Sequence, residues 1–288
     1  MNLPGNKQAT DDLKLMGVLA HPDDESLGIG GTLAKYANER VTTYLVTATR
    51  GERGWAGAEA DYPGPEALGR LRVAELAAAA QILGVQPVII LDYRDGELAQ
   101  AEPAEVVSKL VTHLRRIRPH VVVTFDPFGG YGHPDHIAIS QLATAAVVAA
   151  ADPNYHNDAG WPPHRVSKLY YRVVTQTEAA AYQAAFGELV MEIDGAKRSF
   201  VAWPDWAITT WLDTSAYRQQ VWQAMVCHQS QLPNYQVLQE LPDDHHSHLW
   251  GTQTYYRAFS LVNGGGQPET DLFAGLGGRV SIDLKSGG

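Results

Sequence analysis

Two short runs hold the side chains best suited to chemistry. One is His21-Pro22-Asp23-Asp24-Glu25; the other runs from Asp126 through Gly129-Gly130-Tyr131-Gly132-His133-Pro134-Asp135-His136. Each combines imidazole with carboxylate, and each carries a proline that stiffens the turn. Such a donor set suits a catalytic metal, since zinc takes three protein ligands from His, Asp and Glu and leaves one position for water. His21 and Asp24 are three residues apart, so both can face one ion across a turn. His136 supplies a third donor, giving His/Asp/His. Asp23 is then free to serve as general base toward a water that the metal activates. A pair of aspartates at a helix start also fits N-capping, but capping leaves the histidines of both runs without a role.

The elements around these runs set where they sit. Residues 13–20, 41–47, 87–91 and 121–125 read as strands, the last (VVVTF) continuously apolar. Residues 25–40, 66–83, 103–118 and 135–151 carry helical spacing, with Gly84 and Pro119 as stops. This βαβα order predicts an α/β fold: a Rossmann-like, mostly parallel sheet with helices on both faces. Both chemical runs follow strands directly, so the site is expected at the carboxyl ends of the strands. Residues 166–174 predict a further strand, and 175–187 and 216–227 further helices. The chain reads as one domain over 1–288. Residues 1–150 form the sheet core with both motifs, and 151–288 form a less regular capping part that ends in a loosely held glycine-rich tail from residue 264.

At these residues the sequence resembles the PIG-L/LmbE-like family of metal-dependent deacetylases. AHPDDE at 20–25 and GGYGHPDH at 129–136 carry the resemblance, with RPHVVVTFDP at 118–127, TRGE at 49–52 and ETDLFAGL at 269–276. Within the family, the mycothiol-pathway N-acetylglucosaminyl-inositol deacetylases are nearest. The resemblance implies His21, Asp24 and His136 as zinc ligands, another divalent transition metal being an alternative, and Asp23 as general base. It implies that His133, protonated, stabilises the tetrahedral intermediate and protonates the leaving amine, with Asp135 orienting it. Tyr131 would polarise the amide carbonyl, and Glu52, Arg72 and Asp95 would contact the sugar or its aglycone. The implied reaction removes the N-acetyl group from an N-acetylglucosamine-containing small molecule, releasing acetate and a free amine. The non-catalytic alternative, a sugar-binding protein on the same fold, is at odds with the presence of Asp23 and His133.

Composition narrows the partners. With 22 Lys+Arg against 32 Asp+Glu in 288 residues, the formal charge of −10 repels phosphate backbones and anionic lipid. The expected partner is a small N-acetylated sugar, with no nucleic acid and no membrane; a homo-oligomer stays open. One cysteine, Cys227, and no visible signal peptide in residues 1–12 fit a cytoplasmic protein. Gly28, Gly30 and Gly31 lack the GxGxxG spacing and predict close helix packing instead of a dinucleotide loop. Trp203, Trp206 and Trp211 are candidates for sugar stacking or for packing. His245, His246 and His248 predict a solvated loop, and the adjacent Cys227-His228 pair carries no catalytic expectation. Arg50 and Arg53 are equally consistent with anion binding and with plain loop charges.

Overall fold

A computed structural model describes residues 13–276 apart from 158, 188–189, 194, 240–242 and 263–267. The signal-peptide reading at residues 1–12, and the tail reading at 264–267 and 277–288, lie outside the described residues.

The first half alternates as the sequence predicts: β1 Lys14–Leu19, α1 Asp24–Asn38, β2 Thr42–Thr49, α2 Pro65–Leu83, β3 Ile89–Tyr93, α3 Pro103–Ile117, β4 Val121–Phe125, the short α4 Gly129–Gly132 and α5 Pro134–Ala151. The second half holds β5 Lys168–Thr175, α6 Gln176–Phe186, the hairpin β6 Val190–Ile193 and β7 Ala196–Ser199, β8 Ala202–Trp203, β9 Thr210–Asp213, α7 Arg218–Met225, α8 Leu232–Gln239, α9 Asp243–Trp250 and β10 Thr252–Ser260. The main sheet runs β3-β2-β1-β4-β5-β10-β9. Its first five strands are parallel, while β10 lies antiparallel to both β5 and β9. Among the described residues no helix is long and apolar enough to cross a membrane.

The order reverses between β1 and β4. A crevice opens where neighbouring crossovers leave on opposite sides, beyond the strands' carboxyl ends. Both chemical runs emerge there. Side-chain alternation in β1 feeds two cores: Leu15 and Leu19 join α1 and α2 on one face, and Met16 and Val18 join α3 and α5 on the other. The sheet ends are therefore fixed by packing on both sides, which makes a rigid platform for the loops above them.

Three parts of the second half depart from expectation. β10 was not foreseen, yet it is an interior strand with Tyr255 fully buried. The described part of the tail is not loose: Leu272 and Phe273 are fully buried, and the Glu269 carboxylate accepts from Lys168 Nζ at 2.8 Å and from Tyr170 OH at 2.5 Å. A glycine-rich composition masked a segment that closes the core. The 243–248 tract is helical, forming most of α9, and is not a loop. His246 stacks near Trp250, with ring centroids 5.1 Å apart, and its Nε2 lies 2.6 Å from Leu238 O.

Candidate active site

The turn after β1 is shaped by the carboxylate of Asp24. Its Oδ2 accepts the backbone N–H groups of Ala20 (3.2 Å) and His21 (2.7 Å), which folds the strand end back over the helix start. Asp23 is the N-cap of α1 yet makes no side-chain cap bond, so N-capping does not explain the aspartate pair. It sits instead at φ 103°, in the left-handed region that a residue with a Cβ adopts only under constraint. The turn after β4 is ordered by Asp126, whose oxygens accept from Gly130 N (2.9 Å) and Trp203 Nε1 (2.6 Å). Gly129 is required here: with φ +67°, a Cβ would stand 2.9 Å from Ile137 N.

These turns bring His21, Asp24 and His136 together. His21 Nδ1 lies 3.1 Å from His136 Nε2, His136 Nε2 3.3 Å from Asp24 Oδ1, and His21 Nδ1 3.7 Å from Asp24 Oδ2. Donors 2.0–2.2 Å from a tetrahedral ion stand about 3.3–3.6 Å apart; the His21–His136 and His136–Asp24 Oδ1 separations are close to this, whereas the oxygen nearer His21 is Oδ2, which is already bonded to the two backbone N–H groups. The outer nitrogens are also assigned by their partners. His136 Nδ1 faces Gly129 O at 3.3 Å, which leaves Nε2 as the lone pair. His21 Nε2 faces Asp135 Oδ2 at 3.2 Å and Asp95 Oδ1 at 3.1 Å, which leaves Nδ1. Carboxylate–imidazole–metal relays of this kind fix the tautomer and raise ligand basicity. Among the described residues two donor groups are close enough for a cation, His21/His133/His136 and His21/Asp95/Asp135; His133 Nδ1 already accepts Asp135 N–H, and both Asp135 oxygens accept backbone N–H groups, from Gly96 (2.7 Å) and Leu98 (3.0 Å). A proton on His21 Nε2 satisfies that side.

Charge follows the geometry. Burial works against a protonated His21, but bonds to Asp135 and Asp95 and the charge of Asp24 outweigh it and lift its pKa to about 10. Burial likewise opposes ionised Asp24, yet His136 and His21 hold it well below the usual carboxylate range. Asp23 is pushed up, by burial first and by Asp24, against the pull of Arg72, His228 and Tyr235. Its Oδ2 accepts from Arg72 Nη2 (3.0 Å) and Tyr235 OH (2.7 Å). Among the described residues its Oδ1 has no partner, which leaves that oxygen for a proton.

The remaining expected residues fall around this centre. The rings of Tyr131 and His136 are 5.1 Å apart, and burial lifts the Tyr131 pKa well above 10. The rings of His133 and His21 are 4.6 Å apart. Burial first, and then the charges of His21 and His136, lower the His133 pKa to about 4, which favours the neutral ring while those two imidazoles are charged. Its Nδ1 accepts the backbone N–H of Asp135 at 3.1 Å, leaving Nε2–H as the donor. Asp135 thus orients His133 through its backbone, while its carboxylate holds His21. Glu52, Arg72 and Asp95, expected at the substrate, are engaged as supports. Glu52 Oε1 accepts Asp95 N (3.0 Å), Asp95 reaches His21, and Arg72 binds Asp23, Gly51 O and Pro22 O. Arg72 and Asp95 also line the cavity; Glu52 does not.

A cavity of ≈ 690 Å³ opens over the site, ample for a sugar glycoside. None of Trp203, Trp206 and Trp211 lines it. Arg50 and Arg53 are paired with Asp92 and Glu97, both at 2.5 Å, and behave as loop charges. Tyr235, which comes from α8 and touches Asp23, was missed by sequence reasoning because nothing local marks it.

The PIG-L model, described as GlcNAc-PI de-N-acetylase, matches residues 16–147, a span that holds both turns. A Streptomyces griseus protein named 1D-myo-inositol 2-acetamido-2-deoxy-alpha-D-glucopyranoside deacetylase is 38% identical, over 91% of this chain and 89% of its own. The chain belongs to the PIG-L family. Two solved structures share the PIG-L fold at a TM-score of 0.60. They are the N,N'-diacetylchitobiose deacetylase of Pyrococcus horikoshii (24% identical, covering 84% of this chain and 76% of that one) and the 4-carboxy-2-hydroxymuconate hydratase of Pseudomonas putida (20% identical, 88% and 99%). Deacetylation and hydration on one fold mean that the reaction of this PIG-L chain must be argued from its site.

Proposed function

We propose that this PIG-L protein is a zinc-dependent amidohydrolase. It removes the acetyl group from an N-acetylglucosamine-containing small molecule and releases acetate and a free amine. The observation that carries this reading is the convergence of His21 Nδ1 and His136 Nε2, 3.1 Å apart, on the Asp24 carboxylate, whose Oδ1 lies 3.3 Å from His136 and whose Oδ2 lies 3.7 Å from His21, beside the Asp23 carboxylate with one free oxygen. A cation held there supplies Lewis-acid polarisation of the amide carbonyl and acidifies a water.

The chain's own groups supply the rest. Asp23 Oδ1 takes the proton of the attacking water, with Arg72 and Tyr235 fixing the other oxygen. The raised pKa of Asp23 moves it toward the range where a base works best near neutral pH. Tyr131 keeps its proton and donates to the oxygen that becomes negative as the amide carbon turns tetrahedral. As the C–N bond breaks, the proton taken up by Asp23 passes to the departing nitrogen, which leaves as the free amine, while His133 Nε2–H donates a hydrogen bond beside it and Asp135 N–H holds the ring's other face. Each donor aimed at a developing oxyanion is worth ~2.7–4 kcal/mol. The first candidate substrate is the one in the name of the Streptomyces griseus relative, a 2-acetamido-2-deoxyglucoside of myo-inositol.

The test is product analysis on a panel of N-acetylglucosaminyl-inositol, N-acetylglucosaminyl-malate, N-acetylglucosamine and its β-1,4 dimer. The proposal expects acetate and free amine in equal amounts from at least one member. Turnover without acetate, or no turnover of any member by metal-loaded protein, overturns it.

A further inference from the structure

One buried ionisable pair stands outside the reaction just described, yet it ends on the general base. His228, fully buried after α7, places Nε2 2.8 Å from Glu25 Oε1. Glu25 is also fully buried, and its Oε2 accepts the backbone N–H of Asp23 at 3.0 Å. His228 Nδ1 has no hydrogen-bond partner. The ring is therefore held for what Nε2 does and not to satisfy itself, since a buried unpaired nitrogen carries a cost. Glu25 in turn takes Ser26 Oγ at 2.5 Å, so both of its oxygens are committed.

We infer that His228, acting through Glu25, is a positioning residue that holds Asp23 in its left-handed conformation and so aims Oδ1 at the attacking water. The inference rests on the deacetylase reading and adds the element that sets the base. The argument is geometric. A residue with a Cβ keeps φ 103° only where its surroundings over-determine it. The Glu25 carboxylate, two residues on, grips the one backbone donor whose direction changes with that φ. The far oxygen of Glu25 is shared by the adjacent Ser26 Oγ, which rides on the same helix, and by His228, which is the hold on it from another element, 203 residues away.

The neighbouring sequence works the same way. Ser230 donates from N and Oγ to Glu75, both at 2.7 Å, and Gln231 Nε2 reaches Gly54 O at 2.5 Å. Tyr235 then meets Asp23 itself. Residues 228–235 therefore form a strap from the second half of the chain that locks the first-half turns of the site.

The test compares two substitutions in the metal-loaded full chain. His228→Met fills similar space without a donor, whereas His228→Gln keeps an N–H near the position of Nε2. Losing a hydrogen bond to a buried carboxylate lowers the population of the productive arrangement about 10- to 100-fold. The expected result for H228M is a kcat reduced by that factor, with KM and bound metal as in the wild type. H228Q should recover most of the loss. Hydrogen exchange at the Asp23 amide should speed up in H228M and not in H228Q, a readout that needs no substrate. Wild-type kcat and exchange in H228M overturn the inference. So does a loss of activity that tracks bound metal or melting temperature and is not rescued by H228Q. If the wild type itself fails on the substrate panel, the function reading falls, and the exchange pattern still decides the role of His228.

Discussion

Replacing Tyr235 by Phe removes one hydroxyl and nothing else. That hydroxyl donates to Asp23 Oδ2 at 2.7 Å, an oxygen shared with Arg72 Nη2 at 3.0 Å. Burial, followed by the charge of Asp23, lifts the Tyr235 pKa well above 10, so it is a donor throughout the working range. A hydrogen bond to an ionised carboxylate contributes roughly 1.5–3 kcal/mol, and each pKa unit corresponds to about 1.4 kcal/mol. The bond stabilises only the ionised form. Its loss therefore raises the pKa of Asp23 by about 1–2 units, adding to the upward push of burial. A general base works when ionised, so the acid limb of kcat/KM should move up by about 1–2 pH units. On the alkaline plateau, where Asp23 is ionised in both proteins, the rates should agree within about threefold, because Phe preserves the shape of the site. The assay is acetate release from pH 5 to 10, with metal content checked at each pH. An unmoved acid limb, or an equal loss at every pH, would show that Tyr235 does not tune Asp23.

Three further outcomes follow from the same geometry. Asp23→Asn should retain metal and lose about 10²–10⁴-fold in kcat, the usual contribution of a general base; a wild-type rate with full metal would refute the assignment. Metal uptake should release close to one proton between pH 7 and 9, because His21 is protonated below about 10 and the ion displaces its Nδ1 proton. Affinity should then rise about tenfold per pH unit up to about pH 10, and calorimetry in buffers of different ionisation enthalpy reads the proton count directly. Anomalous scattering from zinc-soaked crystals should place the ion about 2.0–2.2 Å from His21 Nδ1, Asp24 and His136, whereas a peak on the Nε2 side with Asp95 and Asp135 would contradict the tautomer argued here.

The legible parts of this protein are those whose signals are local. Continuous apolar strands such as VVVTF at 121–125, and helices bounded by Pro103 or Gly84, declare themselves within a few residues. They carry the βαβα order and so the place of both motifs. HPDD and HPDH stood out because a metal site would demand particular residue types at particular spacing, and the turns after β1 and β4 bring them to one crevice. β10 was not, since TQTYYRAFS has neither an apolar run nor clean alternation; it is buried by polar as well as apolar contacts, with Gln253 bonded to Thr32 and Tyr255 close to the same hydroxyl. The segment 269–276 looked like a loose tail because its anchor is a set of charges on β5 and β10, remote in sequence. Tyr235 went unmarked, and His228 was noticed only as a neighbour of Cys227, for the same reason: each contacts the first turn of α1 across more than 200 residues.

The account stands most directly on metal-dependent amide hydrolysis. The measurement is acetate release from N-acetylglucosaminyl-inositol by protein stripped with a chelator and then titrated with zinc. We expect no release from the stripped protein and a linear recovery that ends at one zinc per chain. Full release by the stripped protein, or recovery that continues past one equivalent, would contradict a single catalytic ion held by His21, Asp24 and His136.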